Sequence, residues 1–415
     1  MTLTSPTVEG ADHRQRTLTS WLLHRGQVGD EQEQLLEGYC RLLLELGVPV
    51  LRLHVAQSAF HPKYGGLGFD WLRDEGMSRQ TYEHNPTPGD DWLQSPLYYL
   101  LTSGENEIRE RVPQGDAVAR FPILNDLKAL GATDYFAVAV QLAEHEPGQP
   151  VDTDNTPEGV LISWVSDAPG GFAEDDLDLI RAGLPALALA LKSAANRRIA
   201  EDLMRVYLGR DAGTRVLSGE IQRGSLQKID AVLLYFDLQG FTKLSEQVPG
   251  DDLIAMLNAY FGAAVSGVHA FDGSILKFMG DGMMAMFNLD TAASSAAAGL
   301  GAVAELRHAL AELQAEREAE GLTNTGVTFA LHAGEILYGN IGAENRLDFT
   351  VIGPAVNLTA RLSGMHRAVG QDVIVSDAIR CAAGQTDHDL VSLGRYMLRG
   401  VSEPQELFAL YEAAR

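Results

Sequence analysis

The chain has 415 residues, of which 46% are hydrophobic and 21% charged, and its formal net charge at pH 7 is −24. Because a domain usually contains roughly 100–200 residues, this length predicts two or three domains with sizeable cores. The acidic balance argues against a nucleic-acid partner and against an anionic lipid surface, since both are bound by neutralising phosphates with Lys and Arg.

The amino-terminal part predicts a helix followed by a strand. Apolar residues recur at helical spacing over 17–47, and 48–55 has the pattern of a strand. The next stretch predicts loop with no regular element, because it contains Gly65, Gly66, Gly68, Pro86 and Pro88. The β-rich runs 135–143 and 159–166 then predict an antiparallel hairpin.

A helix is predicted after this hairpin. Its acidic first turn begins at Glu174, and apolar residues continue at helical spacing to Leu191. Pro185 is expected to kink or divide this helix. The apolar stripe weakens over 194–198, so we place a helical linker at 196–228, where apolar residues of two copies could form a dimerisation stalk.

Strands and helices alternate in the remaining part of the chain. The predicted strands are 230–236, 273–278, 283–287, 326–332, 336–340 and 349–352. The predicted helices cover about 251–266, 291–318 and 354–366. This alternation predicts a layered sheet with helices packed on it.

Cysteine use and apolar content predict a cytoplasmic protein. Cys40 and Cys381 lie far apart and form neither a disulfide framework nor a CxxC motif. The segment 1–16 lacks the apolar centre of a signal peptide, and the apolar stretch 184–191 is shorter than the ~20 residues that span a bilayer. We therefore expect no membrane partner.

Two aspartates are candidate ligands of a hard cation. Asp237 ends the apolar run 231–236, and Asp281 lies in a Gly-Asp-Gly turn between two β-rich runs. Mg²⁺ takes a few protein oxygens and keeps its other positions for water and substrate phosphates. Either residue alone is more typical of ordinary turn chemistry than of a metal site, so the prediction depends on the residues around them.

Three polar residues support a site in this region. Lys277 lies in an otherwise apolar strand, where a cation needs a partner or a polar cleft. Asn357 and Arg361 are spaced i, i+4 on a helix that begins at Pro354, so both project from one face. Alone, such a pair is usually a solvated helix surface.

Four motifs together resemble the catalytic domain of class III nucleotidyl cyclases. They are FDLQGFT (236–242), ILKFMGDGMMAMF (275–287), LHAGEILYGNIG (331–342) and DFTVIGPAVNLTARL (348–362). The resemblance covers 229–415 and implies an α+β fold, a ferredoxin-like βαββαβ domain with an antiparallel-rich sheet and helices.

The resemblance also assigns roles to single residues. It implies metal binding by Asp237, by Asp281 and by the backbone carbonyl of Leu238. Lys277 matches the lysine that reads the purine, and Thr350 matches its partner position. A threonine there is similar to the adenine-selective subgroup, so the implied substrate is ATP.

The remaining matches concern ribose and phosphates. Asn357 matches the residue that orients the ribose, and Arg361 matches the arginine that stabilises the transition state at the α-phosphate. Phe241 and Thr242 lie in the loop where the family contacts phosphates with backbone amides. Arg399 falls near a basic phosphate-contacting position.

The implied activity is an adenylate cyclase that forms 3′,5′-cyclic AMP and pyrophosphate with two Mg²⁺ or Mn²⁺ ions per site. The family uses both half-sites from facing subunits, which implies a homodimer. The alternatives are a nucleotide-binding scaffold of weak activity and a guanylate cyclase; a diguanylate cyclase would need a GGDEF-like signature. The chain departs from the family at Gln239, commonly Arg, and at Pro354, often Asp or Asn.

The amino-terminal region, 1–195, resembles a GAF-type sensor domain through its last third, 135–195. This resemblance implies an α/β regulatory domain with a small-molecule ligand. A dimerisation domain with a filled core is the alternative.

Overall fold

The computed structural model describes residues 8–84, 89–113, 118–142, 159–384 and 388–411. The chain divides into two compact units, Met1–Asp202 and Leu203–Arg415. Each unit has its own sheet and its own buried cores.

The first unit contains six helices and six strands among its described residues. The helices are α1 (Val8–Val28), α2 (Gln32–Glu45), α3 (Asp90–Leu93), α4 (Pro96–Ser103), α5 (Ile123–Ala129) and α6 (Glu174–Leu208), the last of which continues into the second unit. The strands are β1 (Val50–Ser58), β2 (Tyr64–Leu72), β3 (Gly76–Glu83), β4 (Glu107–Arg111), β5 (Asp134–Gln141) and β6 (Gly159–Ser166).

The sheet of the first unit is antiparallel, in the order β3-β2-β1-β6-β5-β4. Helices α1, α2 and α6 contribute to the core on one face, and α4 and α5 contribute to the core on the other. Side chains of a strand alternate between faces, so Leu53 faces the first core and Leu161 of β6 the second. Burial on both faces explains why these strands are rich in apolar residues.

The predicted hairpin of the first unit is confirmed, but the predicted loop before it is wrong. β5 and β6 pair antiparallel from Asp134 to Gln141. The glycine-containing stretch forms the β2–β3 hairpin, and Gly68 lies within β2. A Cβ on residue 68 would come 2.9 Å from Tyr82 Oη, which favours glycine at this position. These glycines allow close packing instead of ending a strand. Pro86 and Pro88 lie outside the described residues.

Pro185 does not divide α6. The helix runs without interruption from Glu174 to Leu208, and Pro185 lies on its exposed side. The carbonyl that loses its helical hydrogen-bond donor can be hydrated there, which lowers the cost of proline inside the helix.

The second unit is built from the following elements. The helices are α7 (Arg210–Leu217), α8 (Phe241–Gln247), α9 (Gly250–Ala270), α10 (Ala292–Ala319), α11 (Pro354–Ser363), α12 (His366–Val369) and α13 (Asp377–Ala383). The strands are β7 (Leu226–Leu238), β8 (Ser274–Met279), β9 (Gly282–Phe287), β10 (Val327–Ala343), β11 (Arg346–Ile352), β12 (Val373–Ser376), β13 (Asp389–Tyr396) and β14 (Gln405–Tyr411).

The second sheet has the order β13-β14-β12-β10-β7-β9-β8, with β11 paired to β10. The chain order β7-α9-β8-β9-α10-β10 follows the expected βαββαβ pattern. All these strand pairs are antiparallel except β10 with β12, and α9 and α10 pack on one face. No element was predicted beyond 366, so β12, β13, β14, α13 and most of α12 were not predicted.

The two strands predicted at 326–332 and 336–340 are one strand, β10. It pairs with β7 from Val327 to Gly339 and with β11 from Leu337 to Ala343. Gly334 lies inside this strand, where a Cβ would be 3.0 Å from the Cβ of Ala355 on α11. The glycine therefore permits helix packing and does not end the strand.

In the described part of the chain, α9 is the one helix long and apolar enough to cross a membrane by length and composition. The apolar stretch 184–191 belongs to α6. Core helices pass the same test, and Met256, Tyr260, Ala264 and Val268 of α9 are buried in the core that includes α10.

Candidate active site

Strand pairing brings Asp237 and Asp281 together. Asp237 is opposite Gly282 in the β7–β9 register, and Asp281 precedes Gly282 in the tight turn from β8. The backbone N–H of Leu238 donates to the carbonyl of Asp281, with N···O 3.3 Å. This bond joins the end of β7 to the turn that precedes β9, next to the two carboxylates.

Glycine flanks Asp281 for two different reasons. Gly280 has φ +67°, a left-handed conformation that the turn needs and that glycine adopts without steric cost. A Cβ on residue 282 would lie 3.0 Å from Asp237 Oδ1, so glycine leaves space beside that carboxylate. The Gly-Asp-Gly sequence thus sets both the turn and the room around the site.

Electrostatics at this pair suit a cation. Burial, together with the charge of Asp281, raises the pKa of Asp237 to about 6. Among the described residues no group of three or more His, Cys, Asp or Glu could hold a metal ion. Two carboxylates and the Leu238 carbonyl are hard oxygen donors of the kind that Mg²⁺ and Mn²⁺ accept, and they fit such an ion.

Tyr235 belongs to this site and was not predicted. It precedes Asp237 by two residues in β7, and its Oη is 3.4 Å from the Cβ position of residue 282. Burial raises the pKa of Tyr235, and the charges of Asp237 and Asp281 raise it further. The hydroxyl therefore stays protonated beside the carboxylates, and the strand period of two was the signal that could have found it.

The candidate purine-reading residues lie on β8 and β11, which are not paired with each other but are linked by a side-chain contact. The Nζ of Lys277 on β8 is 3.4 Å from the Oδ2 of Asp348 on β11. Thr350, two residues further along β11, is 8% exposed, and its hydroxyl has no hydrogen-bond partner in the described structure. Asp348 was not predicted as a site residue, although its i, i+2 spacing to Thr350 places both on one face of β11.

Helix α11 carries Asn357 and Arg361 on its surface. It begins with Pro354 after Gly353, and the two residues are one turn apart and exposed. Within the described ranges their side chains make no hydrogen bond or ion pair. The helix is held to β10 by the close approach of Ala355 to Gly334, so both side chains are free to meet a ligand or another molecule.

Phe241 and Thr242 are consecutive residues of α8, whereas Arg399 lies in a different part of the second unit. Phe241 begins α8 and packs against the core, while Thr242 is exposed next to it. Arg399 is exposed in the turn between β13 and β14 and has no hydrogen bond or ion pair to a described residue. Their predicted phosphate contacts stay predictions.

Comparison with known proteins identifies the second unit. Residues 225–412 match the family model for the "Adenylate and Guanylate cyclase catalytic domain". Adenylate cyclase 1 of Rhizobium meliloti (strain 1021) is 32% identical over 165 residues, which cover 39% of this chain and 24% of that protein. An adenylate cyclase of Anabaena cylindrica is 28% identical over 166 residues, or 38% of this chain and 32% of that protein.

A crystal structure of the adenylyl cyclase CyaB from P. aeruginosa aligns with 46% of this chain and 98% of its own, at 26% identity and a TM-score of 0.43. The chain spans less than half the length of the curated relatives it matches. Residues 225–412 are a catalytic domain of the class III adenylate and guanylate cyclases, with mixed α/β content and an antiparallel-rich sheet.

Proposed function

We propose that this protein is an adenylate cyclase, which converts ATP to 3′,5′-cyclic AMP and pyrophosphate. The observation that carries the proposal is the pairing of Asp237 with Asp281 at the ends of β7 and β9, inside a domain that matches the cyclase family. The adenylate cyclases among its relatives support the same activity.

The reaction replaces a phosphoanhydride bond at the α-phosphorus by a phosphoester bond. The ribose 3′-oxygen bonds to this phosphorus, and the bond to the bridging oxygen of the β-phosphate breaks. Pyrophosphate leaves with that electron pair, and the proton of the 3′-hydroxyl passes to solvent. Two bound Mg²⁺ or Mn²⁺ ions would favour the alkoxide and offset charge on the attacking and leaving oxygens.

Residues of this chain would bind the metal ions, stabilise charge on the phosphates and orient the ribose. Asp237, Asp281 and the Leu238 carbonyl would hold the metal ions. Arg361 would offer a planar, permanently charged group to the phosphate oxygens as charge gathers in the transition state. Asn357 would orient the ribose, which matters because in-line attack depends steeply on position.

ATP is the proposed substrate because of Lys277 and Thr350. Lys277 can donate a hydrogen bond to adenine N1, and the Thr350 hydroxyl can accept one from the 6-amino group. Guanine presents the opposite donor and acceptor pattern at this edge. The unpartnered, buried hydroxyl of Thr350 supports a substrate role, since buried polar groups normally have a partner.

A homodimer with two sites across its interface completes the proposal. In this arrangement Asp237 and Asp281 face Lys277, Thr350, Asn357 and Arg361 of the partner subunit. The exposure of Asn357 and Arg361 supports it, as does the presence of both half-sets in one chain. Phe241, Thr242 and Arg399 are proposed to contact the phosphates.

The first unit is proposed to be a GAF-like regulatory domain that binds a small molecule, in a cytoplasmic protein. Its six-stranded antiparallel sheet with cores on both faces supports this assignment. The helix α6 leaves this unit and continues into the second, so it offers a covalent route for regulation.

The test is turnover by the purified full-length chain with Mg²⁺ or Mn²⁺ and either ATP or GTP, with cyclic product and pyrophosphate both measured. We expect cyclic AMP and an equal amount of pyrophosphate. Cyclic GMP as the main product would make the protein a guanylate cyclase. No product from either nucleotide would favour a nucleotide-binding scaffold.

A further inference from the structure

Gln239 is tied to the second unit at several points. It follows the Asp237–Leu238 pair directly and precedes Gly240, where the chain turns into α8. Its backbone N–H donates to the carbonyl of Gly326, with N···O 2.8 Å. Its side-chain Nε2 donates to the Oδ1 of Asp372, also at 2.8 Å.

The groups that hold Gln239 are themselves fixed. Thr325 Oγ1 donates to the carbonyl of Gln239 at 2.5 Å, and the carbonyl of Thr325 accepts from Gln314 of α10 at 2.7 Å. The backbone carbonyl of Asp372 accepts from the N–H of Phe329 on β10, at 2.7 Å. The contacts of Gln239 therefore lead to α10 and to the central sheet.

The neighbouring residue 326 is a glycine for a reason that involves this side chain. A Cβ on residue 326 would lie 2.8 Å from Gln239 Oε1. Glycine there lets the glutamine amide pass across the start of β10 towards Asp372. The glycine at 326 therefore accommodates the side chain of Gln239, in addition to accepting the hydrogen bond from its backbone.

We propose that Gln239 is a positioning residue for the triphosphate. This inference rests on the proposed function and adds to it a residue that contacts neither metal nor substrate. Asp237 and Leu238 are fixed on one side of the loop by the bond to Asp281. The bond to Asp372 adds a second anchor at residue 239, so the backbone that leads into 240–242 is fixed at two successive residues.

The chemical reason is the geometric demand of the reaction. The backbone amides at this loop can serve the phosphates only if their direction is constant, and a displacement of about 1 Å can cost on the order of 100-fold in such chemistry. An exposed amide–carboxylate bond adds little to global stability. Its loss should therefore alter turnover more than it alters unfolding.

The experiment compares Gln239→Ala, Asp372→Ala, the double variant and Asp372→Asn in the full-length chain. We expect each alanine variant to lower kcat about 10-fold with a small change in KM, and the double variant to be no worse than either single one. Asp372→Asn keeps an acceptor oxygen for Gln239 and should stay within about 2-fold of the parent. The matched control is Gln371→Ala, which removes the neighbouring exposed amide and should leave kcat unchanged.

Hydrogen exchange separates this inference from the proposed function. In Gln239→Ala the amide of residue 239, which donates to the carbonyl of Gly326, should exchange at least about 10-fold faster, with β5 and β6 unchanged. Unchanged exchange at residue 239, or additive kinetic losses in the double variant, would overturn the inference. A parent chain without turnover would overturn the proposed function instead, and the exchange data would still decide whether Gln239 orders the loop.

Discussion

Lys277 and Asp348 form an ion pair between β8 and β11, with Nζ 3.4 Å from Oδ2. Both side chains are partly exposed, so the pair contributes little to stability. The pair instead orients the Lys277 ammonium group towards β11, the strand that carries the buried hydroxyl of Thr350. The free protein therefore presents a hydrogen-bond donor on β8 and an unpartnered hydroxyl on β11, two strands that are not paired with each other.

The first prediction concerns Thr350→Val, which has nearly the same shape but no hydroxyl. Because the hydroxyl is buried without a partner in the free protein, its removal should leave the unfolding midpoint unchanged or higher. Turnover of ATP should fall, with kcat/KM reduced about 3- to 10-fold, the value of one hydrogen bond. Steady-state kinetics and thermal unfolding of the same preparation check both parts.

Thr350→Ser is the matched control, since it keeps a hydroxyl and removes a methyl group. It should retain more activity than Thr350→Val but be less stable, because it leaves a small cavity. Equal activity of the valine variant and the parent would remove Thr350 from purine recognition.

The second prediction concerns the composite site. Asp237→Asn and Arg361→Ala should each lower turnover by at least about 100-fold, through loss of metal binding and of transition-state charge stabilisation. An equal mixture, allowed to exchange subunits, should recover about a quarter of parental turnover, since half of the dimers are mixed and each holds one intact site. Pyrophosphate release measures the recovery.

The control for charge removal is Asp230→Asn, an exposed aspartate of the same strand, which should keep parental turnover. A mixture that stays as inactive as its components would show that Asp237 and Arg361 act within one chain.

The sequence predicted elements with local patterns and missed those that depend on packing. The β5–β6 hairpin and the βαββαβ order were accessible from apolar runs and turns. β2 was missed because Gly68 makes room for Tyr82, a contact that only the folded sheet reveals. Gly334 concealed the continuity of β10 in the same way.

The candidate site shows the same limit. Asp237 and Asp281 could be predicted because each belongs to a short motif. The bond from Gln239 to Asp372 joins residues 133 positions apart, and no periodicity links them. The alternation of a strand could have pointed to Asp348 and Tyr235, but their relevance depends on contacts between strands, Tyr235 with the β8–β9 turn and Asp348 with Lys277 of β8.

The third prediction concerns the buried carboxylate of Asp134 in the first unit. Asp134 is fully buried and accepts from Arg109 Nη2 at 2.8 Å and from the backbone N–H of Phe172 at 3.0 Å. Arg109→Gln removes one of the two charges that offset this carboxylate and leaves Arg111, whose Nη1 is 3.3 Å from Oδ2, so it should cost about 2 kcal/mol of unfolding free energy. All four tryptophans belong to residues 1–202, so their fluorescence follows this unit in urea.

Arg41→Gln is the control for this measurement. Arg41 is exposed and pairs with Glu37 one helical turn away, so its replacement should cost less than about 0.5 kcal/mol. Equal effects of the two substitutions would mean that the Asp134 pair is no more than a surface contact.

The fourth prediction concerns the pH dependence of the second unit. His332 is buried on β10 with Nδ1 2.8 Å from Ser376 Oγ, and burial lowers its pKa from 6.5 to about 4. The unfolded chain takes up a proton below pH 6.5, whereas the folded chain does not until about pH 4. The contribution of a neutral His332 is therefore complete above pH 6.5 and is lost as the pH falls to 4, by up to about 3 kcal/mol.

His332→Gln removes this titration while keeping a side chain that can bond to Ser376. As the pH falls from 6.5 to 4, the unfolding free energy of the parent should decrease relative to that of this variant by about 1.4 kcal/mol per pH unit. Hydrogen exchange of β10 amides, compared between the two chains at each pH, measures the shift because the intrinsic exchange rate cancels. A difference that stays constant across this range would show that His332 takes up its proton in the folded protein with an ordinary pKa, and that burial does not keep it neutral.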